Sequence, residues 1–232
     1  MRGVFVAGTD TGVGKTILAA AIVAGLAARG EKVAAFKPAV TGLDEEPPEG
    51  WLRDHELLAS VASAGQSPED VSPHRYGPPV SPHYAAEMAG DSIEPNELLA
   101  KARNTADHAD ALVCEGVGGL LVPLTPGYLV RDLALDLGVP LVIAARPGLG
   151  SISHTLLTLE AARTAGVDVR GVVMTPWPGS EDGIAESNRK TVELIGNIQV
   201  TCMRPITRDE LASAGAKLPL DDWLHVEEGE HA

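Results

Sequence analysis

The stretch Gly8-Thr9-Asp10-Thr11-Gly12-Val13-Gly14-Lys15-Thr16 constrains the fold of this chain more than any other. It follows an apolar run, residues 4–7, and precedes a segment with helical apolar periodicity, which predicts a strand, a glycine-rich turn and a helix. Glycines in such a turn let successive backbone N–H groups point inward at a helix N-terminus, where they bind phosphate. Lys15 can then reach the β- and γ-phosphates of a nucleotide, and the Thr16 hydroxyl is placed to ligate Mg²⁺.

The stretch departs slightly from the usual G-x-x-x-x-G-K-[ST] spacing, because Thr9 stands at the first glycine position and Gly8 is one residue earlier. A structural glycine turn is the alternative interpretation. The position of Gly-Lys-Thr between a strand and a helix favours a phosphate-binding loop (P-loop). The residues predicted to bind the nucleotide phosphates are Gly12, Val13, Gly14, Lys15 and Thr16.

Strand-like and helix-like segments alternate along the rest of the chain, and glycine-rich loops follow the strands. Predicted strands cover residues 4–7, 32–36, 111–115, 140–145, 169–175 and 199–203. Predicted helices cover residues 15–29, 52–64, 83–89, 95–108, 129–137, 153–165 and 184–195, whereas residues 66–81 are predicted to be irregular. This alternation predicts an α/β fold, a doubly wound and mainly parallel sheet flanked by helices, as in three-layer P-loop NTPases. We expect one domain over residues 1–224, followed by an acidic tail, 225–232, that frays.

Charge and composition argue against several classes of partner. The net charge of −14 opposes non-specific binding to nucleic acid or to anionic membranes. No apolar run approaches the roughly 20 residues that a membrane span needs, and the N-terminus leads directly into a strand, so we expect no signal peptide. Cys114 and Cys202 lie in apolar, strand-like runs. We expect both to be buried free thiols in a reducing cytoplasm.

Polar side chains collect at the predicted carboxyl edge of the sheet. Lys37 follows the second strand, Glu115 ends the third, and Asp54 opens a helix. Thr16, Asp54 and Glu115 are hard oxygen ligands that can share one Mg²⁺, while Lys15 and Lys37 can neutralise charge on a transferring γ-phosphoryl group. Two alternatives stay open: Asp54 could serve only its helix dipole, and Lys37 could be a solvated surface lysine.

Six motifs occur in the chain in the same order as in a known family. They are GTDTGVGKT, KPAVTG, Asp54-His55, SPHYAA, EGVGGLLVP and ARPGLGSISHT, from residue 8 to about residue 155. The chain resembles the dethiobiotin synthetases, the ATP-dependent carboxylases of biotin synthesis, and the resemblance weakens past residue 170. It implies that 7,8-diaminopelargonate takes up CO₂ as a carbamate, that ATP phosphorylates the carbamate, and that the second amine closes a cyclic urea. No side-chain nucleophile is needed, because the substrate amine attacks.

The resemblance also implies roles for individual residues. Lys15 and Lys37 would hold the carbamate and the transferring phosphoryl group. Thr11, the third predicted catalytic residue, and Thr41 would hydrogen-bond the diamine and the carbamate. Gly118 and Gly119 would bring the backbone close to the substrate.

A further implied segment is the helix start at Gly150, Ser151 and Ser153. In the family this segment reaches the substrate tail of the neighbouring subunit, which implies a homodimer with shared sites. The alternative is an ordinary helix start, with Ser151 or Ser153 as the N-cap.

The chain departs from the family where the base is read. Family members often carry an Asn after the strand that here covers residues 169–173, and its amide reads adenine. Thr175 at this place cannot offer the paired donor and acceptor of an amide. We therefore expect Thr175, Pro205 and Ile206, with Trp177 or Pro178, to hold the base by backbone and apolar contacts and to discriminate weakly among nucleotides.

Two other classes of P-loop protein fit less well. Septum-placement ATPases carry a lysine five residues before the P-loop lysine, and this chain has Asp10 there. A GTPase switch needs an Asn-Lys-x-Asp base reader after a late strand, and residues 174–178 lack it.

Overall fold

A computed structural model describes residues 1–224 of the chain. The predicted acidic tail, 225–232, lies outside the described residues. The strands are Gly3–Gly8 (β1), Val33–Phe36 (β2), Ala39–Val40 (β3), His74–Arg75 (β4), Ala111–Gly119 (β5), Pro123–Thr125 (β6), Tyr128–Leu129 (β7), Leu141–Ala145 (β8), Val169–Met174 (β9) and Val200–Cys202 (β10). The α-helices are Lys15–Ala27 (α1), Asp54–Val61 (α2), Pro68–Val71 (α3), Pro82–Ala89 (α4), Pro95–Asp107 (α5), Val130–Leu137 (α6), Ser151–Thr164 (α7), Gly183–Gly196 (α8), Leu211–Gly215 (α9) and Leu220–Leu224 (α10). A 3₁₀ turn covers Arg208–Glu210.

Six strands form one sheet in the order β10-β9-β8-β1-β5-β2, and every neighbouring pair is parallel. The predicted doubly wound parallel sheet is confirmed. Strand β1 lies near the centre between β8 and β5, so the loop after β1 opens where the chain switches direction across the sheet. Ligands bind at this place in open α/β sheets.

The sheet has a hydrophobic core on each face, because successive side chains of a strand point to opposite sides. Val4 and Val6 pack into the core that includes α1, α2, α9 and α10. Phe5 and Ala7 pack into the core formed with α5, α6, α7 and α8. All six residues of β1 are buried, so the P-loop follows a strand that lies entirely within the core.

Several elements differ from the sequence-based expectation. Residues 66–81, predicted to be irregular, contain α3 and β4, and β4 pairs in parallel with β3 just after Lys37. Two-residue strands carry no apolar periodicity, so only the tertiary pairing forms them. The short helices α9 and α10 were not predicted either. A Cβ on Gly25 of α1 would lie 2.8 Å from the carbonyl carbon of Gly215, so α9 packs directly on the backbone of α1.

Two further expectations can be compared with the described residues. Cys114 is buried as expected, whereas Cys202 is only partly buried, and both are free thiols. Within residues 1–224, the helices are too short or too polar to span a bilayer.

Candidate functional site

The P-loop joins β1 to α1 in the conformation that an anion site requires. Gly12 and Gly14 have φ values of 67° and 87°, in the left-handed region that glycine adopts without strain. Gly14 is the N-cap of α1 and offers no side chain to its first turn, so the free N–H groups there are available to a phosphate. Val13 between them is buried and anchors the loop in the core.

Five predicted residues meet beside the P-loop, and we call this group the charged pocket: Lys15, Thr16, Lys37, Asp54 and Glu115. Lys37 Nζ lies 2.6 Å from Glu115 Oε1 and 3.0 Å from Asp54 Oδ2. The Thr16 hydroxyl donates to the same Glu115 oxygen at 2.8 Å. Lys15 Nζ donates to the Asp10 carbonyl at 2.8 Å. Lys37 is 2% exposed, so it is not a solvated surface lysine.

The neighbouring strands β2 and β5 position Lys37 and Glu115. Glu115 lies within β5, whose residues Val113 and Cys114 pair with β2, and Lys37 is the first residue after β2. The Lys37 backbone N–H also donates to the Val71 carbonyl at 2.9 Å, which holds the lysine from the α3 side. Adjacent parallel strands therefore bring these two charges together across 78 residues of sequence.

Burial and the neighbouring charges shift the pKa values of this pocket in different directions. Burial alone would lower the pKa of Lys37, but the Asp54 and Glu115 carboxylates raise it above its ordinary value, so Lys37 stays protonated. Burial and the nearby Lys37 charge lower the pKa of Lys15 to about 8. For Asp54, burial opposes ionisation, yet Lys37 holds the pKa of that carboxyl below its usual range.

The Glu115 carboxylate can accept a further bond. Burial raises the pKa of its carboxyl despite the attraction of Lys37. Its Oε2 atom is buried and, within the described residues, has no hydrogen-bond partner. A buried carboxylate oxygen without a partner is costly, and a bound cation would remove that cost.

The residues expected to approach the substrate also lie against the P-loop. A Cβ on Gly118 would lie 3.6 Å from the Thr11 hydroxyl, and one on Gly119 would lie 3.6 Å from the Thr9 carbonyl. The register between β1 and β5 shifts here, between Val6 and Gly8. Backbone at Gly118 and Gly119 can therefore come close to a ligand that contacts Thr11.

A cleft of about 440 Å³ lies between the P-loop and the second and third turns of α7, and its lining includes Thr9, Gly119, His154 and Leu157. Gly150, Ser151 and Ser153, at the start of α7, are not part of this lining. Ser153 and Gly150 are exposed, while Ser151 is buried with no hydrogen-bond partner for its hydroxyl among the described residues. Neither serine is the N-cap, because Gly150 takes that position and α7 begins at Ser151, two residues earlier than predicted.

The remaining predicted residues are distributed more loosely. Thr175 is buried, and a Cβ on Gly14 would lie 2.7 Å from its methyl group, so it touches the P-loop. Ile206 packs on the core that contains α1, Pro205 is exposed, and Trp177 packs on the opposite core. Thr41 is half-buried just past β3, and within residues 1–224 no recorded hydrogen bond joins its side chain to the charged pocket.

Sequence reasoning missed two residues that hold this edge of the sheet together. Arg146 donates to the carbonyl of Gly12 at 3.2 Å, and Asn188 donates to the carbonyls of Pro147 and Gly148, each at 2.9 Å. Arg146 directly follows a strand, and this position could have marked it in the sequence as a candidate site residue. Asn188 lies in the middle of α8, where only its poor helix propensity marks it.

Comparison with solved structures identifies the fold. The septum site-determining protein MinD of Pyrococcus horikoshii, complexed with Mg-ADP, superposes with a TM-score of 0.53 and 15% identity over 92% of this chain and 86% of that chain. The MinC:MinD cell division complex of Aquifex aeolicus gives a TM-score of 0.57 and 12% identity over 96% and 94%. At these identities the likeness concerns the fold alone.

Comparison of sequences identifies the family. A family model described as an AAA domain matches residues 2–209. The chain is 41% identical to the ATP-dependent dethiobiotin synthetase BioD of Anaeromyxobacter dehalogenans over 78% of this chain and 79% of that protein. It is 37% identical to the protein of the same name from Bacillus licheniformis, over 90% and 88%, and 31% identical to that of Bacillus subtilis strain 168, over 88% and 87%. With the P-loop and charged pocket in place, these matches show that the chain belongs to the ATP-dependent dethiobiotin synthetase family.

Proposed function

We propose that this chain converts 7,8-diaminopelargonate, CO₂ and ATP into dethiobiotin, ADP and phosphate. One amine of the substrate takes up CO₂ as a carbamate, and a carbamate oxygen attacks the γ-phosphorus while ADP leaves. The second amine then attacks the carbonyl carbon of the resulting carbamic–phosphoric anhydride, the ring closes and phosphate departs. All three bond-forming steps use substrate atoms as nucleophiles, so the protein contributes position and charge.

The charged pocket is the observation that carries this proposal. Lys37 and Lys15 place two cationic groups beside the P-loop, where charge develops on the transferring phosphoryl group. Lys37 is held in place by two carboxylates and is buried, so it does not have to reorganise during the reaction.

Thr16, Asp54 and Glu115 are proposed to hold one Mg²⁺. The Thr16 hydroxyl and Glu115 Oε1 are 2.8 Å apart, close to the ~2.9 Å between neighbouring ligands of an octahedral ion with ~2.1 Å bonds. Glu115 Oε2 supplies a second, unpartnered oxygen. Bound Mg²⁺ would neutralise phosphate charge, while these residues themselves orient the triphosphate against Lys15. In residues 1–224 no cluster of three or more His, Cys, Asp or Glu offers a rival metal site.

The substrate is proposed to lie in the cleft between the P-loop and α7. Thr11, Thr41, Gly118 and Gly119 would contact the diamine and its carbamate. Gly150, Ser151 and Ser153 of the neighbouring subunit would hold the carboxylate at the other end of the substrate, because a helix N-terminus such as the start of α7 favours an anion. The base would lie beside Thr175, Pro205 and Ile206.

We further propose that the protein acts as a homodimer in the cytoplasm, with the start of α7 close to the subunit interface. Leu157 and Leu121, which line the cleft, are 61% and 53% exposed, and Leu149, just before α7, is fully exposed. Neighbouring exposed apolar side chains such as Leu121 and Leu157 are typical of a surface that another protein covers. Light scattering of the purified protein tests the dimer.

The direct test is conversion of diaminopelargonate to dethiobiotin by the purified protein, with phosphate release measured in parallel. We expect phosphate release to require the diamine and CO₂ together and to match dethiobiotin one to one. Phosphate release from ATP alone, unchanged by the diamine, would refute the proposal and favour a nucleotide switch. Omission of bicarbonate under CO₂-free gas is the matched control.

A further inference from the structure

The loop of residues 146–150, which joins β8 to α7, is fastened by two side chains that the proposed chemistry does not use. At its first residue, Arg146 Nη2 lies 3.2 Å from the Gly12 carbonyl and 3.5 Å from the Thr11 carbonyl. From α8, the Asn188 side chain donates to the carbonyls of Pro147 and Gly148, each at 2.9 Å. The loop is therefore tied to the P-loop on one side and to a core helix on the other.

Asn188 is an uncommon residue for its position. It is 8% exposed in the middle of α8, where asparagine is a poor helix former and a buried amide is costly unless it is hydrogen-bonded. Its Nδ2 donates to two successive carbonyls, which fixes the orientation of two adjacent peptide planes. The amide therefore acts on the loop rather than on its own helix.

This fastening sets where α7 begins. The Gly148 carbonyl that accepts from Asn188 also accepts from the backbone N–H of Ser151, at 3.2 Å. Gly148 and Gly150 are exposed and have no side chains to restrict them, and Gly150 has a φ of 87°. Without Asn188, this segment would have the conformational freedom of a glycine-rich loop, and the first N–H groups of α7 would lose their fixed direction.

We propose that Arg146 and Asn188 are positioning residues that make loop 146–150 a tie between the P-loop and the start of α7, so that nucleotide and diamine bind cooperatively. This rests on the proposed function, in which the P-loop binds the triphosphate and the start of α7 binds the carboxylate of the substrate held by the neighbouring subunit of the proposed dimer. A triphosphate that fixes the peptides of Thr11 and Gly12 also fixes the acceptors of Arg146. The order then extends to the residues that receive the carboxylate, and the coupling acts equally in both directions.

Two binding measurements test the tie. Diaminopelargonate is titrated into the protein with and without a non-hydrolysable ATP analogue and Mg²⁺. We expect the analogue to tighten diamine binding about fivefold or more in the wild type, within the usual range of coupling between sites. Arg146→Gln, which loses the guanidinium fork, is expected to bring that ratio close to one.

Kinetics separate positioning from simple stability. We expect Asn188→Ala to raise the KM for the diamine about tenfold while kcat and the KM for ATP change less than twofold. The matched control is Val192→Ala, which truncates a buried α8 side chain that packs in the core. It should lower the melting temperature without raising the diamine KM.

Each outcome decides one question. Equal diamine affinity with and without the analogue in the wild type, or equal KM increases in Asn188→Ala and Val192→Ala, would overturn the inference while the proposed function stands. A wild-type protein that makes no dethiobiotin would refute the proposed function itself.

Discussion

The two sides of the P-loop differ in charge. On the β5 and β2 side, Lys37 and Glu115 are buried and paired at the ends of neighbouring strands. On the β8, β9 and β10 side, the strand ends present Thr175 and the glycine-rich start of α7. Two arginines there are exposed: Arg146 is bonded to backbone and Arg204 pairs with Glu210. Preorganised charge in a buried site stabilises a transition state far more than exposed polar groups do. Under the proposed function, we therefore expect the charged pocket to act on the transferring phosphoryl group and the opposite side to bind the base and the substrate.

The largest effect is expected at Lys37. Replacing it with alanine removes a cation that acts on the developing phosphoryl charge, so the barrier should rise by about 2–4 kcal/mol, or roughly 30- to 1000-fold in kcat. Single-turnover measurements give the rate, and the Kd for ATP should change much less. Lys101→Ala, at an exposed position in α5, is the control. A turnover close to wild type would show that Lys37 does not stabilise the developing charge on the phosphoryl group.

Glu115→Gln tests the metal on the same side. The amide keeps the shape but loses the charge that attracts Mg²⁺. We expect the Mg²⁺ concentration for half-maximal activity to rise by at least the ~10- to 100-fold that follows when a residue that only supports a metal ligand is lost. Glu97→Gln, an exposed α5 residue, should leave the Mg²⁺ titration unchanged. If Glu115→Gln shows the same metal requirement as the wild type, Glu115 is not a ligand.

The lowered pKa of Lys15 predicts that nucleotide binding depends on pH. Its pKa of about 8 in the free protein means that the ammonium loses its proton above pH 8, while a bound triphosphate would restore it. Affinity for ATP should therefore fall as pH rises above 8, by up to about tenfold per unit, and binding at pH 8.5 should take up protons. Calorimetry in two buffers of different ionisation enthalpy measures this uptake, and its absence would contradict the assignment.

Lys15 also affects stability, with the opposite trend. A lysine whose folded pKa lies below its unfolded value of 10.5 binds fewer protons when folded. Its contribution to the free energy of unfolding should therefore rise between pH 8 and 10.5. Urea denaturation of the wild type and of Lys15→Met across this range measures the difference.

The smallest effect is expected on the β8, β9 and β10 side, where the nucleotide base is proposed to bind. Thr175 has no amide with which to read adenine, so ATP, GTP and CTP should support turnover within about tenfold of one another. Initial rates at matched nucleotide concentrations check this. A strict requirement for ATP would show that backbone groups at this edge discriminate bases, and the contrast between the two sides would then be smaller.

Much of the charged pocket could be predicted from the sequence. Gly12, Gly14 and Lys15 mark a P-loop by spacing, and Lys37 and Glu115 follow apolar runs, so the rule that parallel strands end at one edge brings them together. The same reasoning could not supply β3 and β4, which exist only because two distant pairs of residues meet. It also placed the start of α7 two residues late, because Gly150 rather than a serine is the cap.

By itself, the sequence determined the parallel α/β fold, the P-loop and the strand ends that carry charge, because these depend on local periodicity and on spacing between neighbouring residues. The family followed from the resemblance of six motifs. Only the tertiary structure decided that Lys37 is buried between two carboxylates, that Glu115 Oε2 has no partner, and that Arg146 and Asn188 hold loop 146–150. The physical reason is that burial and hydrogen bonding depend on which elements pack together, and residues such as Asn188 act on chain segments 40 residues away.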